Sequence, residues 1–166
     1  SEQEICDAVS WARKKKMLFF VLGGGSNILV SDKGFDGLVI RVAPSAPPQL
    51  RGGRSSPYIE VWAGTDLPEA VKFAVGRGLK GLEWASGIPG TFGGAVRGNA
   101  GAFGGEIKDI ITCVKFLDAN GQVRTINNSD CDFEYRGSIF KKNPEYIILS
   151  ADLTLAPGDK KELQEF

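Results

Sequence analysis

The sequence predicts an α+β fold in two lobes. Strand-like segments outnumber helix-like ones, and they do not alternate regularly with helices as the strands of a parallel-sheet protein do. A stretch from Pro44 to Pro57, rich in Pro, Gly, Ser and Arg and poor in apolar anchors, separates an earlier group of elements from a later one. The predicted division is a first lobe at 1–43, a connection at 44–57 and a second lobe at 58–166.

The elements follow in order. Ser1 and Glu4 have the spacing of a capping box, and Ile5, Ala8, Val9 and Ala12 then recur at helical spacing, with Arg13–Lys16 suiting a helix C-terminus. Met17–Leu22 reads as a buried strand, broken by Gly23–Asn27. Ile28–Val30 and Leu38–Val42 read as short strands around a turn at Ser31–Gly34. Tyr58–Ala63 alternates like a strand. Asp66 and Glu69 mark a helix start, Leu67, Val71, Ala74 and Val75 supply its apolar face, and Gly76 or Gly78 ends it. Gly81–Glu106 has no simple period. Ile110–Leu117 and Gln122–Ile126 flank Asn120-Gly121, a hairpin signal. Tyr146–Leu155 is the last strand, with Ile147, Leu149, Ala151, Leu153 and Leu155 placed on one face.

Composition narrows the function. The 166 residues carry 20 basic and 20 acidic side chains, so no net charge marks the chain for nucleic acid or an anionic membrane. The longest purely apolar run, Met17–Leu22, is far short of the roughly 20 residues of a membrane span. There is no histidine, which excludes Ser-His-Asp and Cys-His catalysis and His-ligated zinc. Cys6, Cys113 and Cys131 have no metal-like spacing, and so scattered a trio fits a reducing compartment. A cytoplasmic domain with no metal site is the expectation. Glycine is in excess, with 22 residues, eight of them between Gly87 and Gly105.

Three segments are candidates for chemistry. In Gly23, Gly24, Gly25, Ser26 and Asn27, residues without Cβ let several N–H groups converge on a phosphate, with the Ser and Asn side chains as extra donors; the same glycines also suit a plain tight turn. The segment is neither a P-loop nor the dinucleotide fingerprint. Ser86, Gly87, Ile88, Pro89 and Gly90, continuing through Thr91, Gly93 and Gly94 and on from Asn99 through Phe103 to Glu106, could combine anion-binding N–H groups with an apolar slot for a flat ring. Close packing of loop on sheet is the alternative. In Phe133–Ser138, Arg136 could pair with a carboxylate or phosphate beside the Tyr135 hydroxyl, although taken alone it reads as a surface salt-bridge residue. Lys141 and Lys142 read as a solvated edge, and Trp11, Trp62 and Trp84 as packing.

Together these motifs carry a resemblance. GGGSNILVSD at Gly23–Asp32, GLEWASGIPGTFGGAVRGNAGAFGGEIKD at Gly81–Asp109 and FEYRGSIFK at Phe133–Lys141 resemble, in order and spacing, the UDP-N-acetylenolpyruvoylglucosamine reductases, flavoenzymes of peptidoglycan precursor synthesis. The resemblance implies a two-lobed FAD-binding domain of the vanillyl-alcohol-oxidase or PCMH type, with non-covalent FAD, which suits a chain without histidine. It implies that Gly23–Asn27 hold the pyrophosphate. Ser86–Gly90, Gly93, Gly94, Asn99, Gly101, Ala102, Glu106 and Ile107 would line the flavin side. It further implies NADPH as hydride donor and a UDP-sugar, UDP-GlcNAc-enolpyruvate, as the acceptor reduced to UDP-N-acetylmuramate. Arg136 would stabilise charge on the substrate and Tyr135 would touch it. The family's N-terminal strand segment and its third, substrate-binding domain, which supplies a serine acid and a late glutamate, have no counterpart here. The expectation is therefore the FAD-binding part of such an enzyme, incomplete for turnover alone. The alternatives are an FAD-binding module without turnover, another oxidoreductase of the same flavin fold, or a glycine-rich structural domain.

Overall fold

The structure is a computed structural model that describes residues 1–44, 46–52 and 58–163. Helix α1 (Glu2–Lys14) opens on the expected capping box, in which Ser1 Oγ accepts from the Glu4 amide while Glu4 reaches back to the cap. Strands β1 (Phe19–Leu22) and β2 (Leu38–Arg41) pair in parallel, Phe19 opposite Leu38 and Leu22 opposite Arg41. Their inner face, with Phe19, Val21, Leu38 and Ile40, packs on Ile5, Ala8 and Val9 of α1.

Two expectations for this lobe need correction. Ile28–Val30 forms no strand, and Leu29 is fully exposed. A parallel pair needs a crossover. The segment between β1 and β2 therefore travels back to the start of the sheet, and Ile28–Val30 pairs with no described strand on the way. The strand within Met17–Leu22 is also not buried. Its two-stranded sheet is covered only on the inner face, which leaves Met17, Leu18 and Phe20 open, with Phe20 against Phe35 at 6.1 Å between ring centroids.

The 44–57 stretch is not a bare connection. It contains β3 (Gln49–Arg51), an edge strand paired with β4 (Tyr58–Trp62) and fastened by Arg51 to Glu60 at 2.7 Å. Residues 45 and 53–57 of that stretch lie outside the described residues.

Then come α2 (Leu67–Val75), β5 (Leu79–Lys80), α3 (Phe92–Arg97), the short strands β6 (Gly101–Ala102) and β7 (Gly105–Glu106), β8 (Ile111–Leu117), β9 (Val123–Asn127), α4 (Ile139–Lys142), β10 (Ile147–Leu153) and β11 (Ala156–Pro157). The main sheet runs β3-β4-β10-β8-β9, antiparallel throughout. The β8–β9 hairpin turns where Asn120-Gly121 predicts it, with Gly121 at φ +78°. Asp66 does sit at the N-cap of α2, but its side chain caps nothing; the Leu67 amide is held instead by the Gly90 carbonyl at 2.9 Å.

One face of this sheet buries Ile59, Val61, Val114, Phe116, Ala151 and Leu153 under α2, α3 and α4. Fully burying a side chain such as Phe92 or Phe140 contributes roughly 1.5–3 kcal/mol. The other face turns Leu117, Ile147 and Leu149 toward α1 and β2, so the two lobes share a core. The single-face reading of the last strand is therefore wrong. A register shift between Ile148 and Ser150 leaves Leu149 as an extra residue, which reverses the alternation along β10. Ile147 and Leu149 join one core, and Ala151, Leu153 and Leu155 the other. Among the described residues no helix is long and apolar enough to cross a membrane.

Candidate functional site

The chain leaves β1 through Gly23, Gly24, Gly25 and Ser26, and these residues lie directly on the Pro89–Thr91 loop. A Cβ on Gly23 would sit 2.4 Å from Thr91 Oγ1, and one on Gly24 would sit 3.3 Å from Gly90 Cα. Ser26 Oγ donates to the Pro89 carbonyl at 3.2 Å. Gly90 has φ +119°, and a Cβ there would be 2.6 Å from Ser26 Oγ. Only glycine fits so close a backbone approach at that φ.

The same junction gathers the starts of two helices. Gly90 holds the first amide of α2, and Thr91 caps α3 by accepting from the Gly94 amide. The Phe92 and Gly93 amides donate to Thr65 and Ala63, both at 2.8 Å, and a Cβ on Gly93 would meet Ala63 Cβ at 2.7 Å. Gly93 thus packs against the chain leaving β4. Gly87 faces open space, Ile88 is half-buried and Asn27 is exposed.

A cavity of about 550 Å³ opens at the carboxyl ends of β2 and β4, between Arg41–Pro44, Trp62, Gly64 and the first turn of α1. None of these residues stands out in the sequence as a site. The signal that could have found them is topological, because ligands collect at the carboxyl ends of parallel strands.

A second cleft, of about 200 Å³, lies beyond the C-terminal end of α3. Its wall is the β6–β7 hairpin, whose tip residues Phe103 and Gly104 have φ +51° and +85°, as a tight two-residue turn requires. Phe103 is 97% exposed there. Gly101, Ala102 and Glu106 line the cleft with Asn99, and Tyr135 and Arg136 close it from the other side. Arg136 donates to the Gly101 carbonyl at 3.0 Å.

Asn99, only 1% exposed, ties the cleft together. Its Nδ2 donates to Glu106 Oε2 at 2.9 Å and to the Glu134 carbonyl at 3.0 Å, and its Oδ1 accepts from the Lys108 amide at 3.1 Å. Both amide hydrogens are thus engaged with protein groups. Lys108, at 2.7 Å, and then Asn99 hold the Glu106 carboxyl below its ordinary pKa. Ile107 is wholly buried behind the cleft, and Trp84 packs on Gly105, where a Cβ would meet the indole at 2.5 Å.

The sequence-predicted residues therefore fall into two groups joined by α3: Gly23–Ser26 with Pro89–Gly90 at one end, and Asn99–Glu106 with Tyr135–Arg136 at the other. Thr91 and Phe103, which lie inside the second candidate segment, and Lys141, which reads as a solvated edge, are the site neighbours to which sequence reading gave no part of their own. The aromatic before Gly104-Gly105 was the available signal for Phe103.

This pairing of a two-lobed α+β fold with adjoining glycine loops defines an FAD-binding domain. The family described as FAD binding domain matches residues 1–127, and the chain belongs to it. The chain is 41% identical over 157 residues to the UDP-N-acetylenolpyruvoylglucosamine reductase of Solibacter usitatus, covering 95% of this chain and 48% of that protein. It is 37% identical over 165 residues to the enzyme of the same name from Caldanaerobacter subterraneus, covering 99% and 53%. The crystal structure of the Thermus caldophilus reductase superposes with a TM-score of 0.79 at 33% identity, over 99% of this chain and 56% of that one. A cholesterol oxidase from Brevibacterium sterolicum shares the fold, with a TM-score of 0.70 at 15% identity, over 93% of this chain and 33% of that one. The chain thus spans about half the length of the reductases it matches.

Proposed function

We propose that this chain is the FAD-binding part of a UDP-N-acetylenolpyruvoylglucosamine reductase. The single observation that carries the reading is the contact between the Gly23–Ser26 and Pro89–Thr91 loops, set in a chain whose relatives bear that name. The residues fit FAD. The lack of side chains at Gly23, Gly24 and Gly90 lets the two loops pack directly on each other, and the junction they make is where the pyrophosphate would lie. The neighbouring cavity, lined by Ile40, Val42, Pro44 and Trp62, suits the flat adenosine end. Thr65 Oγ1 is buried at the same junction without a partner among the described residues. The six residues of α3 place the second cleft about 9 Å away along the helix, a length a ribityl chain can span.

In this reading 1–43 and 58–166 are the two FAD-binding lobes. Gly23–Asn27 hold the pyrophosphate; Ser86–Gly90, which meet them, line the ribityl-phosphate side, and Gly93, Gly94, Asn99, Gly101, Ala102, Glu106 and Ile107 line or support the flavin. Bound FAD would supply the hydride relay between NADPH and the enolpyruvyl double bond of UDP-GlcNAc-enolpyruvate, and a proton from an acid would complete its reduction to UDP-N-acetylmuramate, in the cytoplasm. Arg136 places a fixed positive charge where the substrate carboxylate docks and stabilises charge that builds there, and Tyr135 flanks it.

The test is a titration of the chain with FAD, followed by flavin fluorescence, with ADP as competitor. Quenching that ADP reverses is the expected result. No change in fluorescence, from a chain shown to be folded by circular dichroism, overturns the reading.

A further inference from the structure

Arg136 stands in an unusual backbone. Glu134 and Gly137 exchange backbone hydrogen bonds of 3.1 Å in both directions, leaving Tyr135 and Arg136 as the two residues at the tip. Arg136 has φ +54°, a place that glycine usually takes in such a turn. A long cationic side chain in that position is strained. Something must hold it there if its guanidinium is to stay on the Gly101 carbonyl.

We propose that Lys141 is the positioning residue for Arg136. From α4 its Nζ donates to the Arg136 carbonyl at 2.7 Å, a charge-assisted bond to the strained peptide itself. The base of the turn is fixed independently. Ser138 Oγ donates to the Arg97 carbonyl at 2.7 Å, and Asn99 holds the Glu134 carbonyl. Gly137 lies against the Glu134 side chain, which a Cβ there would meet at 2.7 Å and would have to push aside. The Gly137 amide holds one end of the Arg136–Gly137 peptide on the Glu134 carbonyl, and Lys141 is the side chain, among the described residues, that grips its carbonyl end. Lys142 points elsewhere, to Asp132 and Glu134. Lys141 thereby sets the direction of the guanidinium at the mouth of the second cleft. That the guanidinium receives a carboxylate rests on the function proposed above; the clamp does not.

The experiment is NMR on this chain with Lys141→Met, Lys141→Arg and, as a remote surface control, Lys72→Met. In Lys141→Met the Gly137 amide is expected to exchange roughly fivefold faster, the scale of one exposed charge-assisted hydrogen bond. The cross-peaks between the Arg136 side chain and Gly101 are expected to vanish. Lys141→Arg restores both, and Lys72→Met changes neither. Unchanged exchange and cross-peaks in Lys141→Met, or a change that Lys141→Arg fails to reverse, overturn the proposal. A second arm titrates UDP-GlcNAc-enolpyruvate onto the FAD-loaded chain. Weaker binding in both Arg136→Lys and Lys141→Met supports the clamp and its use. A loosened turn in Lys141→Met with full binding in Arg136→Lys supports the clamp and overturns the function proposed for Arg136.

Discussion

Ser26 and Gly90 bring the two glycine loops into contact. A Cβ on Gly90 would lie 2.6 Å from Ser26 Oγ, while that hydroxyl bonds the preceding carbonyl, of Pro89. Gly90→Ala must therefore displace Ser26 or distort a backbone already at φ +119°. We expect a loss of about 1–3 kcal/mol in urea unfolding, with FAD binding weakened alongside. Gly87→Ala, where no atom lies within 4 Å, should change stability by no more than about 0.5 kcal/mol. Equal effects at the two positions would show that the loops do not meet as described.

Asn99 is buried, has φ +41° and makes three hydrogen bonds within the protein. Asn99→Ala leaves the Glu134 carbonyl and the Lys108 amide without their partner and keeps the strained backbone. Destabilisation of about 2–4 kcal/mol is expected by chemical denaturation. Asn99→Gly relieves the backbone and should lose less than Asn99→Ala. The reverse order would mean that the φ angle at this position carries no strain, since both variants lose the same amide.

Acid should weaken the fold through Glu106 and Asp118. Lys108 and then Asn99 lower the Glu106 pKa, and the Gln122 amide leads the groups that lower that of Asp118, with Arg124 and the Asn120 amide adding to it. A carboxyl lowered in the folded state stabilises above its unfolded value and loses that contribution as pH falls through its folded value. The window thus lies below the ordinary values of 4.5 and 3.8. Asp152 works in the opposite sense. Burial, with Glu60 adding to it, raises its pKa, so its ionisation costs stability at neutral pH and costs nothing once it is protonated in both states. Melting temperatures followed from pH 7 downward should fall below about pH 4.5. Asp118→Asn should lower the neutral melting temperature, and Asp152→Asn should raise it.

The three thiols should be sluggish toward a disulfide reagent near pH 8. Burial is the leading cause in each, pushing Cys113 up to about 11 and Cys131 up to about 12, with Cys6 raised as well. Asp152, which accepts from Cys113 Sγ at 3.4 Å, adds to the first. Thiolate is the reactive form, so slow labelling in buffer and complete labelling in denaturant are expected. Rapid labelling of all three in buffer would contradict the burial of Cys131 and the half-burial of Cys6 and Cys113.

What could be read in the sequence was local. The capping box of α1 and the Asn120-Gly121 hairpin each depend on residues a few positions apart, and both form as expected. Ile28–Val30 looks like a strand for the same local reason, yet it lies in the crossover that the parallel pairing of β1 and β2 requires, where it stays exposed and unpaired with any described strand. The extra residue at Leu149 is set by register against β8, which no alternation pattern in β10 reveals. The site divides in the same way. Each glycine loop is visible as a motif, but the bond between Ser26 and Pro89 joins residues 63 positions apart. Lys141, readable only as a solvated cation, acquires a partner because α4 follows directly on the Tyr135-Arg136 turn.

In the function proposed above, the two glycine loops, bridged by α3 to the Asn99–Arg136 cleft, would hold one FAD between them. The most direct measurement is an amide chemical-shift map of the chain with and without FAD. The largest shifts are expected at Gly23–Asn27 and Gly87–Thr91, with a second set at Asn99–Glu106. Shifts confined to the open face of β1 and β2, or none in a folded chain at saturating FAD, would contradict it.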